Sequence, residues 1–446
     1  MTDSLPASLK YGASSSQARV VRQTIMPVGN STGTTSQQST FRFKLPEKAL
    51  IDLRSLSFYY DYSLSGLVDD AANYSNGLIP SAYKHFSQIR FYVSSAIASG
   101  GMANHYDMAY HSLVRASGSE DWVQSRWNNG LVECLLGADT NGTNDISARP
   151  NADTTRTAHF TYDDILGLPN SKNFVLDTSL FGTCEVELTM SSNASIKVAV
   201  AGTITSAAAS AAVVGTISSI KAAIDVVTNI SPLYVSLLAE RLQVDTPIRV
   251  PFQNIVTHVV SNTGSNRFTL NSSCVDALVV CPMNADPNAF AAIASGSAQA
   301  QLNNNRYKFD SARTLANANA GLFQVSVGAE VFPRQPIRID ECADLTTNAM
   351  HGNSAKSVNL LYAGLAAGAQ SYGRLKYLTE NCVIIQKFGL ENEGWASGML
   401  QGINCSGVST DFVVQTSNLS SHLFVCALLT SQLVFNPATS SVSIEQ

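Results

Sequence analysis

Two histidines, His105 and His111, stand close together with Tyr106 and Tyr110 between them. Imidazoles at that spacing have the chemistry to share a metal ion or relay a proton. Solvated or hydrogen-bonded loop histidines are the simpler reading, and the sequence predicts those. Carboxylates are paired at Asp69-Asp70 and Asp163-Asp164. Acid–base catalysis needs two carboxylates held across a cleft, and adjacent strand residues point to opposite faces. These pairs read as turn and cap residues. Glu391 and Glu393 beside Gly394-Trp395 have the composition of a sugar site with an aromatic platform. A Gly-Trp turn anchoring a loop on a core explains the same residues.

The eight cysteines, at 134, 184, 274, 281, 342, 382, 405 and 426, form no C-x-x-C pair. They are expected to be free buried thiols in a reducing compartment. No P-loop, H-E-x-x-H, G-x-S-x-G or Rossmann glycine pattern occurs. The sequence therefore predicts no catalytic residue, no cofactor site and no metal site, and the chain is not expected to be an enzyme.

Composition points the same way. The 446 residues are 45% apolar but only 14% charged, against roughly 25% in an average soluble domain. Much of the surface should thus be neutral or covered by other protein. A net charge of -5 argues against a dominant nucleic-acid footprint. The first residues lack the apolar core of a secretory signal. Residues 1–40 are rich in Ser, Thr, Gln and Gly, with Lys10, Arg19 and Arg22 against the single acid Asp3. They read as a flexible, mildly basic N-terminal arm.

From residue 41 short alternating runs recur between Gly, Asn, Asp and Ser clusters. Phe41–Leu45, Ile51–Leu64, Ile89–Val93 and Glu185–Met190 are examples. The second half repeats the texture at 247–252, 255–260, 274–282, 323–331, 382–388, 411–416 and 423–435. Such runs mark an all-β sandwich protein. Helices are expected only at about 232–242 and about 341–366. The segment 198–220 carries no charge, seven Ser/Thr and two Gly. It is long enough to cross a bilayer, but its small residues suit a strand or connection packed against protein.

The order of these segments resembles the double jelly-roll major capsid proteins of double-stranded DNA viruses, nearest the polinton-like virus and adintovirus branch beside virophages and adenoviruses. The resemblance rests on Met26-Pro27-Val28-Gly29-Asn30, Phe41 to Pro46, Ile51-Asp52-Leu53 and Leu56 to Tyr60. Ile89 to Val93 followed by Tyr106 to Leu113 is similar to that family's strand and tyrosine-bearing helix; Ser94-Ser95 stands where the family usually has an Asn-Gly turn. Phe160 to Leu168, Leu180 to Thr189, Gly394 to Gly398 and Asp411 to Phe435 follow in order. The most specific stretch is Phe323-Gln324 through Gly328 to Pro333 and Pro336.

The resemblance implies two eight-stranded jelly-roll β-sandwiches side by side with a few short helices in loops. The boundaries would be 1–40 for the arm, 41–240 for the first jelly roll and 241–446 for the second. It implies a homotrimeric, pseudo-hexagonal capsomer in an icosahedral shell. The partners would be the chain itself, neighbouring trimers, penton and minor or cement proteins. Genome or an inner membrane would be met through Lys10, Arg19 and Arg22. The location implied is the virion, after synthesis in the host cytoplasm. Gly328, Pro333 and Pro336 are expected to form a structural turn, and Ala208 and Ala211 to lie in the trimer interface. The rival readings are a β-sandwich carbohydrate- or receptor-binding protein of lectin or adhesin type, or a minor capsid protein.

Overall fold

The computed structural model describes residues 19–65, 74–78, 81–117, 155–161, 165–170, 175–201, 214–228, 232–243, 247–272, 274–287, 306–314, 316–343, 345–346, 375, 377–388, 402–405 and 410–445. In the first half the strands are β1 (Arg19–Ile25), β2 (Gly33–Thr34), β3 (Thr40–Lys44), β4 (Leu50–Ser65), β5 (Tyr74–Leu78) and β6 (Phe86–Val93). They continue with β7 (Ala96–Ser99), β8 (Thr155–Thr161), β9 (Val175–Asp177), β10 (Cys184–Met190), β11 (Lys197–Ala201) and β12 (Val214–Thr228). The second half has β13 (Ile248–Ser261), β14 (Ser265–Leu270), β15 (Val275–Met283), β16 (Leu322–Val327) and β17 (Glu330–Arg338). It ends with β18 (Ile384–Lys387), β19 (Thr410–Ser417), β20 (His422–Asn436) and β21 (Ser441–Glu445). Helices α1 (Tyr106–Ser117), α2 (Thr178–Phe181) and α3 (Pro232–Gln243) lie between strands.

One permutation organises both halves. The second half pairs β13-β20-β15-β18 in one sheet and β14-β19-β16-β17 in the other. Counted in chain order, these are strands one, eight, three, six and strands two, seven, four, five. The first half pairs β1-β12-β4-β8 and β3-β10-β6-β7. Leaving aside the short β2, β5, β9 and β11, that is the same order of the same eight strands. It is the two-sheet arrangement of a jelly roll, present twice.

This corrects the predicted boundary at residue 41. Arg19–Ile25, read as part of the flexible arm, is the first strand of the first jelly roll, paired with β12 from Arg19↔Thr228 to Ile25↔Ala222. Residues 1–18, including Lys10, lie outside the described residues, as does most of the helix expected at 341–366. α3 occupies the helix expected at 232–242, between the last strand of one sandwich and the first of the next.

Alternation fixes which face of each strand is buried. Cys184–Met190 alternates buried and half-buried, and Ser265–Leu270 alternates exposed and buried. The first core is aromatic: Phe43 and Phe58 lie 5.3 Å apart, and Phe86 and Phe160 5.5 Å apart, between ring centres. β20 departs from alternation, with Leu423 through Ser431 all buried. A strand covered on both faces has no reason to alternate, hence its continuous apolar run. The segment 198–220 ends in strands β11 and β12, and no helix among the described residues is long and apolar enough to cross a membrane.

The β6–β7 turn shows how local sequence and fold disagree. Val93 pairs with Ala96, so Ser94 and Ser95 form a two-residue hairpin loop. Both have positive φ, +48° and +70°. That backbone suits Asn-Gly, and a serine there carries left-handed strain of about 1 kcal/mol. Ser95 is exposed. Ser95→Gly is expected to raise the melting temperature by about 2–4 °C, read by calorimetry; no gain would show that the serine is unstrained.

Candidate functional site

The seam between the two jelly rolls is built from the segment that leaves β7 and from α1. That segment lies along the free edge of β13. Thr257 N–H donates to the Met102 carbonyl at 3.1 Å. His105 N–H donates to Thr257 Oγ1 at 3.2 Å, and Gly100 N–H to Asn254 Oδ1 at 3.2 Å. Because the edge is covered, Phe252 through Thr257 are all buried.

Beside this edge a charged group is enclosed. Arg306 Nε donates to Asp107 Oδ2 at 2.5 Å and its Nη2 to Oδ1 at 2.9 Å. Tyr307 OH donates to the same carboxylate at 2.6 Å. The two charged side chains are 3% and 0% exposed, so the pair is fully desolvated. Burial pulls the Arg306 pKa down, but the charge of Asp107 outweighs it and leaves it above the usual arginine range. Lys84, also buried, places Nζ 4.4 Å above the Tyr307 ring. His111 Nδ1 lies 2.9 Å from Tyr83 OH, and its ring packs against Tyr307 and Phe309. His105 and His111, expected in a loop, thus sit at the start of α1 and within it, in contact with the second jelly roll.

Burial and, next, Arg306 lower the His105 pKa, and burial lowers that of His258 on β13. Both groups bind protons more weakly folded than unfolded. Stability from them is therefore complete above about pH 6.5, the unfolded value, and is lost as pH falls toward the folded values. Melting temperature is expected to drop between pH 7 and pH 5.5, and His258→Gln to flatten that drop. A wild-type profile that is flat across this range would refute the assignment.

The residues predicted for assembly fall on the outside or outside the described residues. Lys10, Ala208 and Ala211 are in the latter group, and so are the carboxylates read as turn or sugar-site candidates, Asp69-Asp70, Asp163-Asp164, Glu391 and Glu393. Arg19 lies at the start of β1, its carbonyl accepting from Thr228 Oγ1 at 3.0 Å. Arg22 donates to Asp225 Oδ1 at 3.1 Å, Tyr59 OH at 3.2 Å and Ser57 Oγ at 3.3 Å, with 45% of its side chain exposed. β1 itself is exposed along most of its length, with Val20 57% and Val21 41% accessible.

Gly328 is in the β16–β17 turn with φ +58°, and nothing lies within 4 Å of where a Cβ would stand. Glycine is required here by backbone conformation and not by steric crowding. Pro333 and Pro336 are inside β17 and not at a strand exit, which corrects the predicted turn. β17 is an edge strand, the place where missing N–H donors are tolerated. Ladder pairing skips from Phe323↔Ile337 to Val325↔Phe332, so Pro333 to Pro336 bulge outward. Gln324 Nε2 holds the bulge by donating to the Pro333 carbonyl at 3.1 Å. Gly328→Val is expected to cost about 1–2 kcal/mol of backbone strain and about 2–8 °C in melting temperature, and Gly328→Asn less. Equal melting of the valine variant and wild type would be the contrary result.

An open groove of about 370 Å³ lies over the β14-β19-β16-β17 sheet, with Ser265, Gln324, Gln415 and Pro336 on its walls. Phe323, the one aromatic among its described lining residues, is buried. The described lining residues, with no charged side chain and no exposed ring among them, offer little with which to grip a sugar. Among the described residues no three His, Cys, Asp or Glu side chains come together to hold a metal ion. The seven described cysteines are buried. Burial pushes the thiols of Cys184, Cys382 and Cys426 up to about 12, well away from a reactive thiolate.

Two jelly rolls of one permutation, docked through a buried seam, define a double jelly-roll protein. No family model matches the chain, and no curated protein matches its sequence. Solved structures match over nearly its whole length. VP54 of PBCV-1, fitted into a reconstruction of the virophage Sputnik, is 10% identical with a TM-score of 0.57, covering 96% of this chain and 97% of that one. A chain of the Sputnik virophage is 11% identical with a TM-score of 0.52, covering 96% and 88%. The Faustovirus major capsid protein is 9% identical with a TM-score of 0.50, covering 94% and 90%. At these identities the likeness is one of fold.

Proposed function

We propose that this chain is a major capsid protein that self-associates into homotrimeric, pseudo-hexagonal capsomers of an icosahedral virus shell. The observation that carries the reading is the doubled permutation with a buried, hydrogen-bonded seam. It gives one chain two equivalent wall units, and three chains six. The low charge content fits subunits that cover much of their flanks with copies of themselves, as obligate interfaces do. The likeness of fold to VP54 and to the Faustovirus protein supports the same reading. In it the protein acts in the virion, after synthesis in the host cell cytoplasm, beside penton and minor or cement proteins.

Mass photometry of the purified protein is the test. A species at three times the 47.5 kDa chain mass supports it, and a clean monomer at all concentrations overturns it. The basic arm keeps a narrower role, limited to the segment before β1: Lys10 would meet genome or an inner membrane. Deleting residues 1–18 should then leave trimers and impair shells, whereas normal particles would sink the idea.

A further inference from the structure

We propose that β17 of one copy, with the segment that leaves it, covers the open edge of β1 in a second copy, repeating between chains the contact that joins the two jelly rolls within the chain. This rests on the capsid reading above and names the surfaces that reading needs. Because both halves share one permutation, each feature of the seam has a counterpart. Within the chain, the segment leaving the fifth strand of the first jelly roll covers the first strand of the second, through Thr257 N–H to the Met102 carbonyl at 3.1 Å. The counterpart of the covered strand β13 is β1, and the counterpart of the covering strand β7 is β17.

Both counterpart strands are exposed, while Ile339, Asp340, Cys342 and Ala343 in the segment that leaves β17 are buried in their own chain. β13 is buried from Phe252 to Thr257, whereas β1 exposes Val20 and Val21, which as neighbours on a strand point to opposite faces. An edge strand that exposes a valine on each face invites pairing unless something covers it. β17 is an edge strand exposed or half-buried throughout, with Val331 37% accessible. The two surfaces differ, so the contact is head-to-tail, and such contacts build rings when the rotation closes. If the junction between chains repeats the junction within them, three chains give six jelly rolls joined by six like contacts.

The test places a photo-crosslinking benzoylphenylalanine at Val20 of the full chain and maps adducts by mass spectrometry. Adducts between chains on residues 330–343 are expected. Val20→Asp and Val331→Asp are each expected to weaken the trimer at least ~10-fold while leaving circular dichroism unchanged. Val235→Asp, on the exposed face of α3, should leave the trimer intact. Wild-type trimers whose adducts map elsewhere, including the 198–220 segment with Ala208 and Ala211, overturn this contact alone. A wild-type chain that stays monomeric overturns the capsid reading and the contact with it.

Discussion

Arg306→Met is expected to destabilise the protein by about 3–5 kcal/mol, because it strands the Asp107 carboxylate in a site with no water to solvate it. Asp107 accepts from Arg306 Nε, Arg306 Nη2 and Tyr307 OH, and its side chain is 0% exposed. Losing two of three donors and the balancing charge leaves an ion that neither burial nor Tyr307 alone can hold. At about 2–4 °C per kcal/mol, melting should fall by roughly 6–20 °C. Arg306→Lys should not restore it, since a single ammonium cannot reproduce the two-pronged guanidinium contact. The double variant Asp107→Asn with Arg306→Met should recover part of the loss, because it removes the stranded charge along with its partner. The decisive measurement is denaturant unfolding of all three variants. An Arg306→Met midpoint equal to wild type, or a double variant worse than either single, would show that the pair is not what fixes the seam. The effect should extend to assembly, since Arg306 follows β15 in the second jelly roll while Asp107 belongs to α1 in the first.

The strands that carry a clean alternation were legible in the sequence: β3, β6, β10, β16 and β19 lie where period-2 patterning puts them. β1 was not. Arg-Val-Val-Arg-Gln-Thr-Ile exposes both faces, so no hydrophobic period marks it, and it follows a Ser/Gln-rich stretch that reads as an arm. β14 was passed over because only Phe268 and Leu270 in it are apolar and buried. β12 was half seen: its first residues fall in the neutral run 198–220, read as a strand or connection packed against protein, but nothing in that run marks where the strand begins. The internal repeat is invisible for a related reason: a jelly roll demands an order of pairings, and alternation satisfies that order with any apolar residues. The seam lay beyond sequence reasoning altogether, since Asp107 and Arg306 are 199 residues apart and neither sits in a motif. Tyr106 to Leu113 pointed to α1 through the family resemblance, whereas His105 and His111, read as hydrogen-bonded loop histidines, gave no sign of the seam they pack in. The prolines of β17 were found but misplaced, because a bulged edge strand and a turn use the same residues.

The other large effect is expected at Gly100, where two constraints coincide. Its φ is +78°, and a Cβ would stand 1.8 Å from the Ile89 carbonyl oxygen, a backbone atom of β6. Rotating a side chain cannot relieve that contact; the strand itself must move. Gln88 resists the movement, because its Nε2 donates to Asn104 Oδ1 at 2.9 Å and to the Gly101 carbonyl at 3.3 Å. Gly100 N–H is also the donor to Asn254, so any shift reaches the β13 edge. Left-handed strain of about 1 kcal/mol adds to about 1–3 kcal/mol for crowding. Gly100→Ala is therefore expected to lose about 2–4 kcal/mol. Gly328→Ala shares the positive φ but has open space, and should lose only about 1 kcal/mol. The difference between the two alanine variants isolates the clash from the backbone strain. In addition, Gly100→Ala should speed amide exchange at Thr257, whose N–H is held by the neighbouring Met102 carbonyl, while Gly328→Ala should not. Equal losses at the two glycines, or unchanged exchange at Thr257, would mean that the segment after β7 yields freely and does not hold the two jelly rolls in place.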